Sequence, residues 1–363
     1  MSEKRRKILN LLEEGHITAE EADEWLEALD QAEAKESQTN TEKTSEKQES
    51  SGDFSKTLKR DLKNFTEGIF NFIDDTFQRV KDGPFEFSFN HSVVKRTYDY
   101  SKDHVKHLNI DLANGTLEFI PTEEENVEIY VKAKVFKETD QDRADRIFDQ
   151  SFSISNENDM LKIEQDRKDI SIDLKVHLPK QQYENVFIKT INGSIKAHGI
   201  IWTSARISTV NGSVKMFDFT GETLYVDTKH GSVRMDETKL SKVKLDTVTG
   251  SVFYDGEVDQ INTNVTTGSV RVYVHNDDAR HADLNVATGS IQLYVPKDMY
   301  INGTASTTVS SVDIDLPRAK VKRLDEQMMK KVTQFIYAEE GEEYFDVDLS
   351  TKTGSIRVYN ISK

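Results

Sequence analysis

The stretch Asn211-Gly212-Ser213-Val214-Lys215 decides the fold, because it recurs along the chain at a nearly fixed spacing. Close copies read NGSIK at 192–196 and HGSVR at 230–234. Successive copies are 19, 19, 19, 18, 21, 21 and 44 residues apart, and the last step, close to two periods, indicates an insertion. Such a period predicts a mainly β protein, a single-stranded β-solenoid (β-helix) with one coil per repeat, stacked one after another. The small residue at the centre of each copy is Gly193, Gly212, Gly231, Gly250, Gly268, Gly289, Ser310 or Gly354.

Apolar and polar residues alternate after each corner. Two residues after the small residue the side chain is Ile or Val in every copy, and the next residue is usually polar. Alternation with a period of two is typical of a half-buried strand. We therefore expect an exposed basic stripe formed by Lys196, Lys215, Arg234 and Arg271. The neighbouring buried column is expected to consist of Ile195, Val214, Val233, Val252, Val270 and Ile291.

Two features of the corner recur as well. Glycine permits a positive φ, and the Asn before Gly193 and before Gly212 tolerates such a backbone better than most residues. A threonine stands three residues before the corner residue in several copies. Stacked coils would place these threonines in a ladder with a spacing of about 4.8 Å, which we interpret as structural. The ladder comprises Thr190, Thr209, Thr228, Thr247, Thr307 and Thr351.

Composition excludes several classes of protein. The 363 residues include 64 Asp and Glu and 48 Lys and Arg, a net charge of −16, which argues against bulk nucleic-acid binding. Without cysteine there is no disulfide, thiol catalysis or cysteine-based metal site. We find neither the apolar core of a signal peptide nor an apolar stretch of about eighteen residues. We therefore expect a cytoplasmic protein that is at most peripheral to the inner face of the membrane.

The N-terminal region begins with two segments. Residues 1–34 read as a helical hairpin with two apolar stripes. A unit of this size cannot bury all of its apolar residues, which predicts self-association as a homo-oligomer or docking on another protein. Residues 35–53 lack large apolar residues and are expected to form a disordered linker. The hairpin residues expected to make the contact are Leu11, Leu12, Trp25 and Leu26.

Residues 54–83 are predicted to form an amphipathic helix whose phenylalanine-rich face includes Phe65, Ile69 and Phe72. Three roles compete for this face. It caps an open end of the solenoid, it self-associates in a helical bundle, or it lies in an anionic membrane interface with its lysines at the rim. The sequence leaves these roles open.

Residues 84–363 are assigned to the solenoid. Two parts depart from the repeat: residues 139–150, expected to be a short exposed helix or loop, and an insertion near 317–345, expected to be partly helical. The segment NGTL at 114–117 resembles a repeat corner and predicts an early coil.

The sequence contains few residues arranged for chemistry. No catalytic motif, nucleotide fingerprint or metal-ligand spacing occurs, so we expect no cofactor and no metal. Asp227 and Asp246 occupy the same repeat position one coil apart, which keeps a carbohydrate-active solenoid enzyme as an alternative. The basic stripe places like charges close together on an acidic protein. Either neighbouring carboxylates compensate these positive charges, which is the interpretation we favour, or an anionic partner compensates them.

The corner pattern T-x-[NT]-G-S-[IV] over 85–363 resembles the bacterial adhesin-like β-solenoid family that includes LiaG-like and YvlB-like proteins. The stretch RRKILNLLEEGHITAEEADEWLEAL resembles the SHOCT-like hairpin often joined to such proteins. The resemblance implies a link to cell-envelope stress and supplies no catalytic residues. We therefore expect a non-enzymatic scaffold that acts through protein–protein or peripheral membrane contacts, for example with a membrane-associated stress-response protein. A regulator that acts through the hairpin is a further alternative.

Overall fold

Strands make up most of the part of the chain that the computed structural model describes, which is residues 91–297, 299–327, 330–337 and 344–361. The helical hairpin, the linker and the amphipathic helix expected near the N-terminus lie outside the described residues.

The strands and helices alternate with short turns. The N-terminal elements are β1 (His91–Ser101), a 3-10 helix (Lys102–His104), β2 (His107–Asn114), β3 (Leu117–Thr122), β4 (Asn126–Phe136), α1 (Gln141–Ser151), β5 (Phe152–Glu157), β6 (Met160–Gln165) and β7 (Ile170–Pro179). The central strands are β8 (Gln182–Asn192), β9 (Ile195–His198), β10 (Ile201–Asn211), β11 (Val214–Phe217), β12 (Thr220–His230), β13 (Val233–Thr249), β14 (Val252–Thr267) and β15 (Val270–Val274). The C-terminal strands are β16 (His281–Thr288), β17 (Ile291–Val295), β18 (Ile301–Thr307), β19 (Val312–Asp315), β20 (Lys320–Gln327), β21 (Lys330–Tyr337), β22 (Phe345–Thr353) and β23 (Ile356–Asn360).

Most of these strands form stacked parallel coils, which confirms the predicted solenoid. Each coil adds a strand to a first ladder, turns at its corner, and adds a shorter strand to a second ladder. The first ladder runs β6, β2, β8, β10, β12, β13, β14, β16, β22, β18. The second ladder runs β7, β3, β9, β11, β13, β14, β15, β17, β23, β19. The long strands β13 and β14 contribute to both ladders.

The core fills the space between the two ladders. The predicted column from Ile195 to Ile291 is buried throughout, and the alternate residues face solvent. Trp202 is a central aromatic residue of this core, with ring centroids 5.2 Å from Phe119 and 5.4 Å from Phe219. Full burial of one such aliphatic side chain contributes about 1.5–3 kcal/mol, so the repeated column is a main source of stability.

Two coils are stacked out of chain order, which the sequence analysis did not anticipate. Near the N-terminal end the coil β6–β7 lies beyond β2–β3, which contains the early coil predicted at 114–117. Near the other end β22–β23 lies between β16–β17 and β18–β19, so that Leu349 pairs with both Leu284 and Ala305. The expectation that coils follow one another in chain order is therefore wrong at both ends.

The corners contain glycine because adjacent coils approach each other closely there. A Cβ atom on Gly231 would lie 2.0 Å from the carbonyl oxygen of Gly212, although Gly231 does not have a positive φ. The asparagines of the corner do not have a positive φ either. They form an amide ladder instead, in which Asn211 donates to Asn192 and Asn192 donates to Asn114, both at 2.7 Å. Positive φ is therefore the wrong explanation for Gly231 and for the corner asparagines, but it is confirmed for the later corners, where φ is 149° at Gly250, 145° at Gly268, 139° at Gly289 and 148° at Gly354.

Five hydroxyl groups of the threonine ladder tie their coils to the corner of a neighbouring coil, whereas the Thr190 hydroxyl has no hydrogen-bond partner among the described residues. The buried hydroxyl of Thr228 donates to the carbonyl oxygen of Gly212 at 3.2 Å, and that of Thr247 donates to Gly231 at 3.0 Å. These hydroxyls give partly buried corner carbonyls a hydrogen-bond donor from the next coil. This contact gives the ladder the structural role expected for it.

Helix α1 lies where the sequence predicted a short exposed helix or loop, and it is only partly exposed. The Asp140 side chain caps its first turn by accepting a hydrogen bond from the Arg143 amide at 3.1 Å. Its inner face buries Ala144 and Phe148, and the Phe148 ring stacks on Phe152 with centroids 4.9 Å apart. The helix packs against β1, β4 and β5, because its amphipathic pattern supplies one apolar face.

The insertion near 317–345 contains a β-hairpin, so the expectation of partial helix is wrong for its described residues. Strand β21 pairs antiparallel with the outer edge of β18, and β20 pairs with β21. The Phe335 ring covers Gly303, where an added Cβ would lie 2.1 Å from a ring atom. The alternating sequence VTQFIY suits a strand, and β18 offers it a free edge.

Candidate functional site

The structure brings the predicted basic stripe together on the outer face of the second ladder. Lys196 pairs in register with Lys215, and Lys215 with Arg234. The same column continues through Phe253, Arg271, Gln292 and Arg357. Neighbouring coils lie about 4.8 Å apart. We call the five cations of this column the basic row: Lys196, Lys215, Arg234, Arg271 and Arg357.

Carboxylates compensate only part of the basic row. Arg234 donates two hydrogen bonds to the Asp236 carboxylate, at 2.8 and 2.7 Å, and its guanidinium carbon lies 4.3 Å from the centroid of the Phe253 ring. For the other four cations, no carboxylate oxygen of the described residues lies within 4.0 Å of a side-chain nitrogen. Glu118 is nevertheless the register partner of Lys196 on β3, and Asp313 that of Arg357 on β19. The expectation that neighbouring acids compensate the stripe is therefore confirmed at Arg234 and met in part at Lys196, whereas Lys215 and Arg271 have neither an ion pair nor an acidic register partner among the described residues.

A row of tyrosines runs beside the C-terminal part of the basic row, and sequence reasoning did not single it out. The ring centroids of Tyr273 and Tyr294 are 4.2 Å apart, and those of Tyr294 and Tyr359 are 5.2 Å apart. Burial, with a smaller contribution from a hydrogen bond with Tyr273, raises the pKa of Tyr294, while Arg271 and Arg357 oppose the rise. The recurring SVRVY, SIQLY and SIRVY was the signal that could have identified these residues.

The outer face of the first ladder is a network of paired polar groups. Asp227 and Asp246 lie in register on adjacent coils, as their repeat position suggested. Asp246 accepts hydrogen bonds from the Tyr225 hydroxyl at 3.2 Å and from the Asn264 amide at 2.7 Å. Lys244 also lies 3.4 Å from this carboxylate. These contacts give Asp246 a structural role on this face.

The remaining predicted positions lie outside the described residues. They are Leu11, Leu12, Trp25, Leu26, Phe65, Ile69 and Phe72. Within the described ranges, no group of three or more His, Asp or Glu residues is arranged to hold a metal ion. Over the same ranges, no helix is both long enough and apolar enough to cross a bilayer.

Stacked coils with flat, solvent-facing ladders define a class of β-solenoid proteins. The chain belongs to the Toastrack DUF4097 family, whose model matches residues 105–359. The match confirms the family resemblance drawn from the corner pattern. Residues 3–34 match the SHOCT-like domain, as the N-terminal stretch indicated.

Comparison with individual proteins gives distant relatives. The uncharacterised protein YvlB of Bacillus subtilis (strain 168) is 23% identical over 198 residues, which cover 54% of this chain and 54% of YvlB. The chain thus spans about half the length of this curated relative. A candidate adhesin from Bacteroides fragilis NCTC 9343 is 13% identical, with coverage of 74% and 97% and a TM-score of 0.37. A candidate adhesin from Parabacteroides distasonis ATCC 8503 is 10% identical, with coverage of 75% and 98% and a TM-score of 0.36. None of these three is named for an enzymatic activity.

Proposed function

We propose that the chain is a non-enzymatic binding scaffold whose basic row docks on an anionic partner at the bacterial cell envelope. The observation that carries the proposal is the charge pattern: five cations share one column of a protein whose net charge is −16. Like charges on neighbouring strands repel, and an anionic partner relieves this repulsion where no carboxylate does.

The setting of this contact is also a proposal. We propose that the protein works in the cell-envelope stress response, from the cytoplasmic side, at the membrane surface or on a membrane-associated protein. The predicted hairpin at 1–34 would then supply a second, protein–protein contact. In this arrangement the solenoid would supply a face of defined charge. The N-terminal segments would extend the distance over which the protein contacts a partner.

The binding test compares two matched charge reversals in the full chain. Lys196→Glu/Lys215→Glu alters the basic row, whereas Lys229→Glu/Lys242→Glu alters two exposed lysines on the first ladder. Both variants change the net charge equally. Affinity for fluorescent dextran sulfate is measured by anisotropy at several salt concentrations. We expect the first variant to bind about tenfold more weakly than the wild type and the second to bind nearly as well.

Equal effects of the two reversals would show that only net charge matters, and would contradict the proposal. Absence of binding by the wild type at low salt would contradict it as well. Thermal unfolding followed by circular dichroism serves as the check that both variants remain folded.

A further inference from the structure

Three adjacent coils near the C-terminal end present similar outward residues, namely serine, arginine or glutamine, and tyrosine. The segments SVRVY at 269–273, SIQLY at 290–294 and SIRVY at 355–359 lie side by side in the second ladder. In each segment the second and fourth residues are buried, and the first, third and fifth lie at the surface. We call these nine surface residues the donor patch.

The donor patch contains only cationic, amide and hydroxyl-bearing side chains. Arg271 and Arg357 carry positive charge, and the Arg271 Nε atom donates to the Gln292 side chain at 2.7 Å. The phenol rings of the patch stack face to face, so what they offer a ligand is their edges and hydroxyl groups. The hydroxyl oxygens of Ser290 and Ser355 lie 3.3 Å apart in the adjoining column. The patch therefore combines cations with a dense set of hydrogen-bonding groups and contains no carboxylate.

Carboxylates mark both ends of the patch. Asp255 lies in register with Tyr273 on one side, and Asp313 and Asp315 lie in register with Arg357 and Tyr359 on the other. The out-of-order coil β22–β23 is what keeps the patch continuous. If the coils were stacked in chain order, Asp313 and Asp315 would lie beside 290–294, and the third segment would be displaced.

We infer that the donor patch binds an anionic, polyhydroxylated polymer laid across the three coils. Arginine pairs well with carboxylate or phosphate, while the amide, phenol and serine groups exchange hydrogen bonds with ligand hydroxyls. A coil spacing of about 4.8 Å presents one such set of groups after another to an extended chain. The inference rests on the proposed function, because Arg271 and Arg357 also belong to the basic row.

A lipid surface fits the patch less well. Interfacial binding to a bilayer needs protruding apolar side chains, and none of the exposed large hydrophobic residues of the described ranges belongs to the donor patch.

The experiment separates hydroxyl recognition from charge alone. The full chain is titrated with poly(glycerol phosphate), polygalacturonate, poly-L-glutamate and phosphatidylglycerol vesicles at equal concentrations of negative charge. We expect one or both hydroxylated polymers to bind about tenfold more tightly than poly-L-glutamate. The variant Tyr273→Phe/Tyr294→Phe/Tyr359→Phe retains the stacked rings and should lose this preference, whereas Tyr225→Phe on the first ladder should keep it.

The outcomes separate the inference from the proposed function. Equal affinity for all polymers, no effect of the three tyrosine substitutions, or binding to vesicles only would overturn the inference and leave a charge-driven contact in place. Failure to bind any polyanion or vesicle would contradict both. A preference for poly(glycerol phosphate) or for polygalacturonate would support the inference and identify the anion as phosphate or carboxylate.

Discussion

Buried threonines at two positions of the coil have hydroxyl groups in opposite environments. Thr228 donates to the carbonyl oxygen of Gly212 at 3.2 Å. Thr263 lies in the otherwise apolar column between Leu245 and Leu284, and its hydroxyl has no hydrogen-bond partner among the described residues. The same residue type therefore satisfies a buried acceptor at one site and leaves a buried donor unpaired at the other.

Substitution by valine tests this difference. Thr228→Val should lower the free energy of unfolding by about 1–3 kcal/mol, because a buried carbonyl loses its donor. Thr263→Val should leave the free energy of unfolding unchanged or raise it, because the substitution removes an unpaired hydroxyl and restores an apolar column. Urea denaturation of both variants measures the two values. Equal losses would mean that the hydroxyl contacts do not decide stability.

The corner glycines lead to a second prediction at this scale. Gly231→Ala should cost about 3 kcal/mol or more, because the new Cβ would lie 2.0 Å from backbone of the adjacent coil. Gly199→Ala is the matched control, since Gly199 has a φ of 59° but its nearest contact is the Pro121 side chain at 3.1 Å. We expect the control to cost only about 1–2 kcal/mol, the strain of a left-handed backbone. Chemical denaturation compares them, and a larger loss in the control would contradict the role of close approach.

Among the elements, α1 is held to β1 by a charged contact. Arg96 donates to Asp145 at 2.7 Å, and Gln141 donates to the same carboxylate at 3.2 Å. The Arg96 hydrogen bond, followed by that of Gln141, lowers the pKa of Asp145 below its usual value. A carboxyl group with a lowered folded pKa stabilises the docked helix above its unfolded pKa, and this contribution is lost as the pH falls through the folded pKa.

We therefore expect amide protection of α1 to fall below about pH 4, before the coils lose protection. Hydrogen exchange followed by mass spectrometry, corrected for the intrinsic pH dependence, measures this. The Arg96→Gln variant should already show about two- to fivefold weaker protection of α1 at pH 7, with little further change in acid. If α1 and the coils lose protection together in the wild type, the ion pair does not control docking.

Strand β21 shows that a local sequence pattern can be sufficient to predict the type of an element. The stretch VTQFIY could have been recognised as a strand, since Thr333, Phe335 and Tyr337 alternate inward. The pairing with β18 depends on an edge left free elsewhere in the chain, and a local pattern contains no information about that edge.

At the scale of the whole molecule, the order of the coils is directly testable, because the chain contains no cysteine. The Oγ atoms of Ser290 and Ser355 are 3.3 Å apart, although the residues are 65 positions apart in sequence. Ser290→Cys/Ser355→Cys should form a disulfide on oxidation, detected by gel mobility and mass spectrometry. Ser290→Cys/Ser311→Cys should not, because β23 separates these two coils. The opposite result would mean that the coils are stacked in chain order.

The sequence by itself determined the solenoid, the buried column and the four predicted members of the basic row. Those features depend on residues one period apart, and in the regular part of the array neighbours in sequence are neighbours in space. Lys196, Lys215 and Arg234 could therefore be placed on one column from spacing alone.

Only the tertiary structure decided the order of the terminal coils, the strand pairing of the insertion and the continuity of the donor patch. The alternation of buried and exposed residues is similar from coil to coil. The local pattern therefore does not determine the position of a coil in the stack. The position of a coil in the stack depends on which strand edges are left unpaired by distant segments and on which segments cover the two ends of the solenoid. The segment at 355–359 lies beside 290–294 because β23 pairs with β17 on one side and with β19 on the other, so that both of its edges are paired.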